Sequence, residues 1–68
     1  MDTAFLTTME EIVASIKEAG YEPYDQLYGY ITKGKEEYIT RSRGAREKIK
    51  NLSWLNVKEY MESMKDGK

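Results

Sequence analysis

Gly20-Tyr21-Glu22-Pro23-Tyr24-Asp25-Gln26-Leu27-Tyr28-Gly29-Tyr30-Ile31-Thr32-Lys33-Gly34 is the stretch that decides the fold class. Pro23 supplies a start, because proline suits the first helical turn, where its missing N–H costs nothing. Tyr24, Leu27, Tyr28 and Ile31 then fall at i, i+3, i+4 and i+7, the apolar face of a helix rather than the alternation of a strand. Gly34 stops this helix, and Gly20 closes the one before it, since glycine adopts the left-handed conformation that ends helices. The short connection from Gly20 to Pro23 makes the flanking helices neighbours in space. Gly29 lies mid-helix, where glycine costs about 1 kcal/mol relative to alanine. A close crossing by another helix would explain its presence.

Upstream, Thr7 and Thr8 each have a glutamate three residues on (Glu10, Glu11), the capping-box spacing. Met9, Ile12, Val13 and Ile16 follow on one face, which predicts a helix over 8–19 after a frayed, flexible arm over 1–6. Downstream, residues 35–43 are polar apart from Tyr38 and Ile39, a pair expected to plug a short turn into the core. Ser42 is a candidate cap for a third helix that turns Ala45, Ile49 and Leu52 inward. Ser53 is a candidate cap for a fourth, with Trp54, Val57, Tyr60, Met61 and Met64 as its stripe. The expectation is all-α: a single helical domain over 7–65, a compact bundle of four or five short helices, with a polar tail over 66–68.

Composition excludes much. The chain has 68 residues, no Cys and no His. Disulfides, thiolate metal sites, histidine general bases and the usual zinc ligands are therefore absent. The adjacent carboxylates Glu10/Glu11 and Glu36/Glu37 diverge by about 100° on a helix and do not converge on one atom. No phosphate-cradling glycine loop is present. No enzyme activity, catalytic residue, metal or cofactor is expected. No apolar run is long enough to span a membrane and no signal-peptide pattern is visible, so a cytoplasmic protein is expected. A domain this small is marginal alone, and without staples a homodimer is the expected aid to stability.

Net charge is −1, but the charges segregate. Residues 1–32 hold six acidic groups against Lys17, whereas residues 33–50 hold seven basic groups against Glu36, Glu37 and Glu47. Arg41, Arg43 and Arg46 are candidates for an acidic ligand, because guanidinium forks pair bidentately with carboxylate or phosphate. A nucleic-acid-binding module using this Arg41–Arg46 segment is the alternative reading. A helix-turn-helix built from the first two helices is disfavoured: the second carries Asp25 and no basic residue before Lys33, and phosphates would repel it. Six tyrosines are many for 68 residues, and the second helix carries more of them than one face can bury. Tyr24 and Tyr28 share a side and Tyr30 points away, which suggests a partner surface.

The stretch Gly20 to Tyr30, followed by Gly34, by Tyr38-Ile39 and by Ala45-Arg46 with Ile49, resembles the IreB family of small bacterial regulatory phosphoproteins. That family reads G-Y-x-P-x-x-Q-h-h-G-Y-h-h-x-G-x-x-x-Y-h and then A-R-x-x-I, and the likeness covers about residues 13–52. It implies a small all-helical homodimer without enzymatic activity. It also implies a regulatory role in Gram-positive bacteria, downstream of a membrane Ser/Thr kinase with PASTA domains, in cell-envelope homeostasis. On this reading Tyr21, Tyr24, Tyr28, Gly29, Tyr30 and Tyr38 are candidate dimer or partner contacts. The family is phosphorylated on threonine in an N-terminal arm; here Thr3, Thr7 and Thr8 are the nearby acceptors. Two departures are local: Lys35-Glu36 replaces an Asp-Pro, and Ser53-Trp54-Leu55-Asn56 replaces a charged run.

Overall fold

The computed structural model describes residues 2–66. It contains four α-helices, α1 (Thr3–Glu18), α2 (Pro23–Lys33), α3 (Ala45–Lys50) and α4 (Trp54–Asp66). Two single 3-10 turns, Glu36–Tyr38 and Ser42–Gly44, connect α2 to α3. No strand occurs among the described residues, as the all-α reading expects.

Helix α1 begins well before the expected residue 8, so residues 3–6 are helical rather than a frayed arm. The reason is Asp2. Its carboxylate accepts a hydrogen bond from the Ala4 N–H at 2.7 Å and serves as the N-cap. Phe5, four residues before Met9, extends the buried stripe by a turn and ties the helix start to the core. Thr7 and Thr8 therefore lie inside the helix and cap nothing. The Thr8 hydroxyl instead donates back to the Ala4 carbonyl at 3.0 Å. Val13 is only half-buried, and the small Ser15 takes the buried position between α1 and its neighbours.

Helix α2 runs as its sequence predicts. Glu22 caps it through its carboxylate on the Tyr24 N–H, 3.1 Å, and Gly34 ends it at φ 71° with its N–H on the Tyr30 carbonyl. In the following turn Ile39 is fully buried, but Tyr38 stays 44% exposed, so only one of the expected pair plugs the core. Ser42 makes no cap hydrogen bond; it opens the second 3-10 turn, and Gly44 leads into α3. Leu52 is half-buried beyond the end of α3. Ser53 caps α4 as expected, its hydroxyl accepting from the Asn56 N–H at 3.4 Å. Asp66 closes α4 instead of opening a tail, and residues 67–68 of the expected tail lie outside the described residues.

Helix α1 packs on α3 and α2 on α4, in a body of 24 × 23 × 21 Å. Phe5, Met9, Ile12 and Ile16 of α1 meet Leu27 and Ile31 of α2, Ile39, Ala45 and Ile49, and Val57 and Met61 of α4 in one core. Among the described residues no helix is long and apolar enough to cross a membrane.

Candidate interaction surface

The connection between α2 and α3 has little secondary structure of its own, so its backbone polar groups need partners from elsewhere. Two side chains supply them. Gln26 of α2 accepts the Thr40 N–H on Oε1 at 2.8 Å. Arg46 of α3 donates from Nε to the Ile39 carbonyl at 3.0 Å and from Nη2 to the Glu37 carbonyl at 3.3 Å. A third contact is steric. A Cβ on Gly29 would stand 2.8 Å from Cδ1 and 3.2 Å from Cβ of Tyr38, so the Tyr38 side chain packs directly against the bare backbone of α2. The crossing expected at Gly29 exists, but a tyrosine makes it, not a helix.

These contacts redistribute the candidate residues. Gly29 serves the fold. Tyr24 and Tyr30 are half-buried against the core. Burial, and then the charge of Glu36, raises the pKa of the Tyr30 hydroxyl above its ordinary value. Tyr30 thus faces the core more than the sequence suggests. Tyr28 stacks on Tyr24 with ring centroids 6.1 Å apart, yet keeps 53% of its surface in solvent. Tyr21 is 55% exposed. Tyr21, Tyr28 and Tyr38 are therefore the exposed tyrosines of the candidate set. At the start of α4, Trp54 and Leu55 are also exposed, with the Lys58 ammonium 5.8 Å from the Trp54 ring centre.

The arginines do not act together. Arg46 is held by the two carbonyls, and Arg43 is ion-paired with Glu18. Arg43 is also a non-glycine residue with positive φ, 54°, an uncommon conformation that turns the chain within the second 3-10 turn, just before α3. Arg41 is exposed and forms no ion pair with a described residue. Sequence reasoning assigned no role to Gln26, Ser15 or Lys48, the last paired with Glu11 at 3.4 Å. Of the candidate acceptors, Thr3 and Thr7 are exposed, while Thr8 is half-buried. Among the described residues no group of His, Cys, Asp and Glu is arranged to hold a metal ion.

The roles explain why the motif has its spacing. Pro23 and Gly34 bound α2, Gln26 and Arg46 hold the connection from either side, Gly29 admits Tyr38, and Ile39, Ala45 and Ile49 fill the core. Tyr21 is a motif residue whose side chain stays in solvent. No solved structure matches the chain. The family profile described as IreB regulatory phosphoprotein does, over residues 2–64. That span runs from the cap of α1 into the last turn of α4 and takes in every contact just described, and the chain belongs to the IreB family.

Proposed function

We propose that this chain is a non-enzymatic regulatory module that acts as a homodimer and binds another protein in the cytoplasm. Its place, by family, is Ser/Thr-kinase signalling in cell-envelope homeostasis. The observation that carries the reading is the exposure of Tyr21, Tyr28 and Tyr38 on a domain whose other motif residues are engaged internally. Tyrosine offers a large apolar face with a polar tip at small entropic cost, which is why it is enriched at interfaces. Of the three candidate arginines, Arg41 is the one without an ion pair or carbonyl partner among the described residues, and it is offered to an acidic partner group.

Thr3 is the phosphoacceptor that fits best. It is exposed in the first turn of α1, where added negative charge is favourable to the helix dipole. A phosphate on Thr7 or Thr8 would meet Glu10 and Glu11 instead. The nucleic-acid alternative loses support, because Arg46 is taken up by the Ile39 and Glu37 carbonyls and the Arg41–Arg46 segment is left one guanidinium short.

Sedimentation at micromolar concentration tests the reading. A species of about twice the 7.9 kDa chain mass is expected. Tyr21→Ser combined with Tyr28→Ser should shift it to monomer without unfolding it, and a wild-type monomer would remove the dimer from the proposal. Filter binding with nucleic acid should show no steep salt-dependent retention.

A further inference from the structure

Helix α1 turns a polar face towards α3. Glu11, Ala14, Ser15 and Glu18 fall at i, i+3, i+4 and i+7 on it. The two ends of this row reach across: Glu11 to Lys48 at 3.4 Å and Glu18 to Arg43. The two middle residues are short. A cleft of about 160 Å³ opens there, lined by Glu11, Ala14, Ser15, Arg43 and Lys48. That is ample for the five heavy atoms of a phosphate group. The segment carrying both cations is anchored, since Ala45 and Ile49 between and beside them are fully buried. The left-handed backbone at Arg43 belongs to the same turn that brings its guanidinium back to α1.

The two ion pairs are weakly held. Glu11 and Glu18 keep more than half of their side-chain surface in solvent, 55% and 58%. Exposed pairs of this kind contribute little, so either carboxylate can swing into water at small cost. The cations are themselves exposed side chains, 60% for Arg43 and 37% for Lys48, and both line the cleft that the carboxylates would vacate. A carboxylate ligand would neutralise one of them. A phosphomonoester, with charge close to −2 near neutral pH, would satisfy both at once through charge-assisted hydrogen bonds. We propose that the cleft between α1 and α3 binds a phosphomonoester or phosphate dianion between Arg43 and Lys48, over Ala14 and Ser15, displacing Glu11 and Glu18. The site shares no residue with the tyrosine surface and does not depend on the dimer.

The test is a titration of the 15N-labelled full chain at constant ionic strength, followed by amide shifts. The probes are inorganic phosphate and N-acetyl-phosphothreonine amide, with the unphosphorylated threonine derivative as control. Saturable shifts centred on Ala14, Ser15, Arg43 and Lys48 are expected with at least one phosphorylated probe, and none with the control. Arg43→Gln and Lys48→Gln should each weaken binding about tenfold, the loss of one charge-assisted contact. Glu11→Gln, which removes a competing carboxylate, should tighten it. Lys33→Gln, an equal change of charge on α2, should leave it as it is. Tighter binding of the phosphothreonine probe assigns the site to a phosphoprotein, and tighter binding of phosphate assigns it to the free ion. Shifts that never saturate, or a loss with Lys33→Gln equal to that with Lys48→Gln, would overturn the proposal in favour of diffuse charge attraction.

Discussion

Replacing Gly29 with alanine sets two known effects against each other. In an exposed helix the change gains about 1 kcal/mol, because glycine has the greater freedom to lose. Here the new methyl carbon would stand 2.8, 3.0 and 3.2 Å from Cδ1, Cγ and Cβ of Tyr38. Rotating the ring relieves the first distance but not the last, since the Tyr38 Cβ moves only with its backbone. That backbone is held by the Arg46 bonds to Glu37 and Ile39 on either side. Overpacking of this sort costs about 1–3 kcal/mol. The net expectation is a loss of about 1 kcal/mol, read as a fall in Tm of about 4–8 °C for a domain of this size. The decisive arm is the background. In Tyr38→Gly protein all three of these atoms, the Cβ included, are gone, and the same Gly29→Ala change should raise Tm by a similar amount. A reversal of sign between the two backgrounds isolates the contact, as a double-mutant cycle does. If Gly29→Ala raises Tm while Tyr38 is present, the packing argument fails.

Two further outcomes are expected. Asp2→Ala should lower stability by about 1 kcal/mol through loss of the cap, whereas Thr7→Ala with Thr8→Ala should leave Tm unchanged or slightly higher, alanine being the better interior residue; thermal melts followed by circular dichroism compare them. The Tyr30 and Tyr60 hydroxyls both titrate above their ordinary value of 10.0, first through burial and then through Glu36 and Glu10 respectively, so the folded state holds their protons longer than the unfolded one. Their contribution is complete below pH 10 and is lost as pH rises through the folded values; Tyr30→Phe with Tyr60→Phe should flatten the decline of urea-unfolding midpoints on the alkaline side.

The helices were legible where local rules suffice. Pro23 and Gly34 bound α2, Ser53 opens α4, and the spacing of Met9, Ile12 and Ile16 marks the buried side of α1. The start of α1 was misread because two signals competed. The capping-box pattern at Thr7 and Thr8 is strong locally, but Asp2 with Phe5 lets the helix begin a full turn sooner and bury one more ring. The candidate surface was less legible for a different reason. Whether Arg46 meets a ligand or a carbonyl, and whether Tyr30 or Tyr28 faces solvent, depends on where the connection between α2 and α3 comes to rest. No periodicity encodes that. Gln26 and Arg46 reach 14 and 7 residues along the chain, and side-chain bonds to irregular backbone leave no spacing to read.

Because the stretch from Glu37 to Thr40 is held by Gln26 on one side and Arg46 on the other, it acts as a shared latch between two helices. Each helix grips it through a different atom set, α2 through an amide hydrogen and α3 through two carbonyl oxygens. Undocking α2 would free the Thr40 amide to exchange with solvent and would also loosen the carbonyls that position Arg46. Undocking α3 would do the reverse. The latch therefore couples the opening of one half of the molecule to the other. The Thr40 amide, in an irregular segment where rapid hydrogen exchange is the norm, becomes a reporter on whether the whole domain is closed.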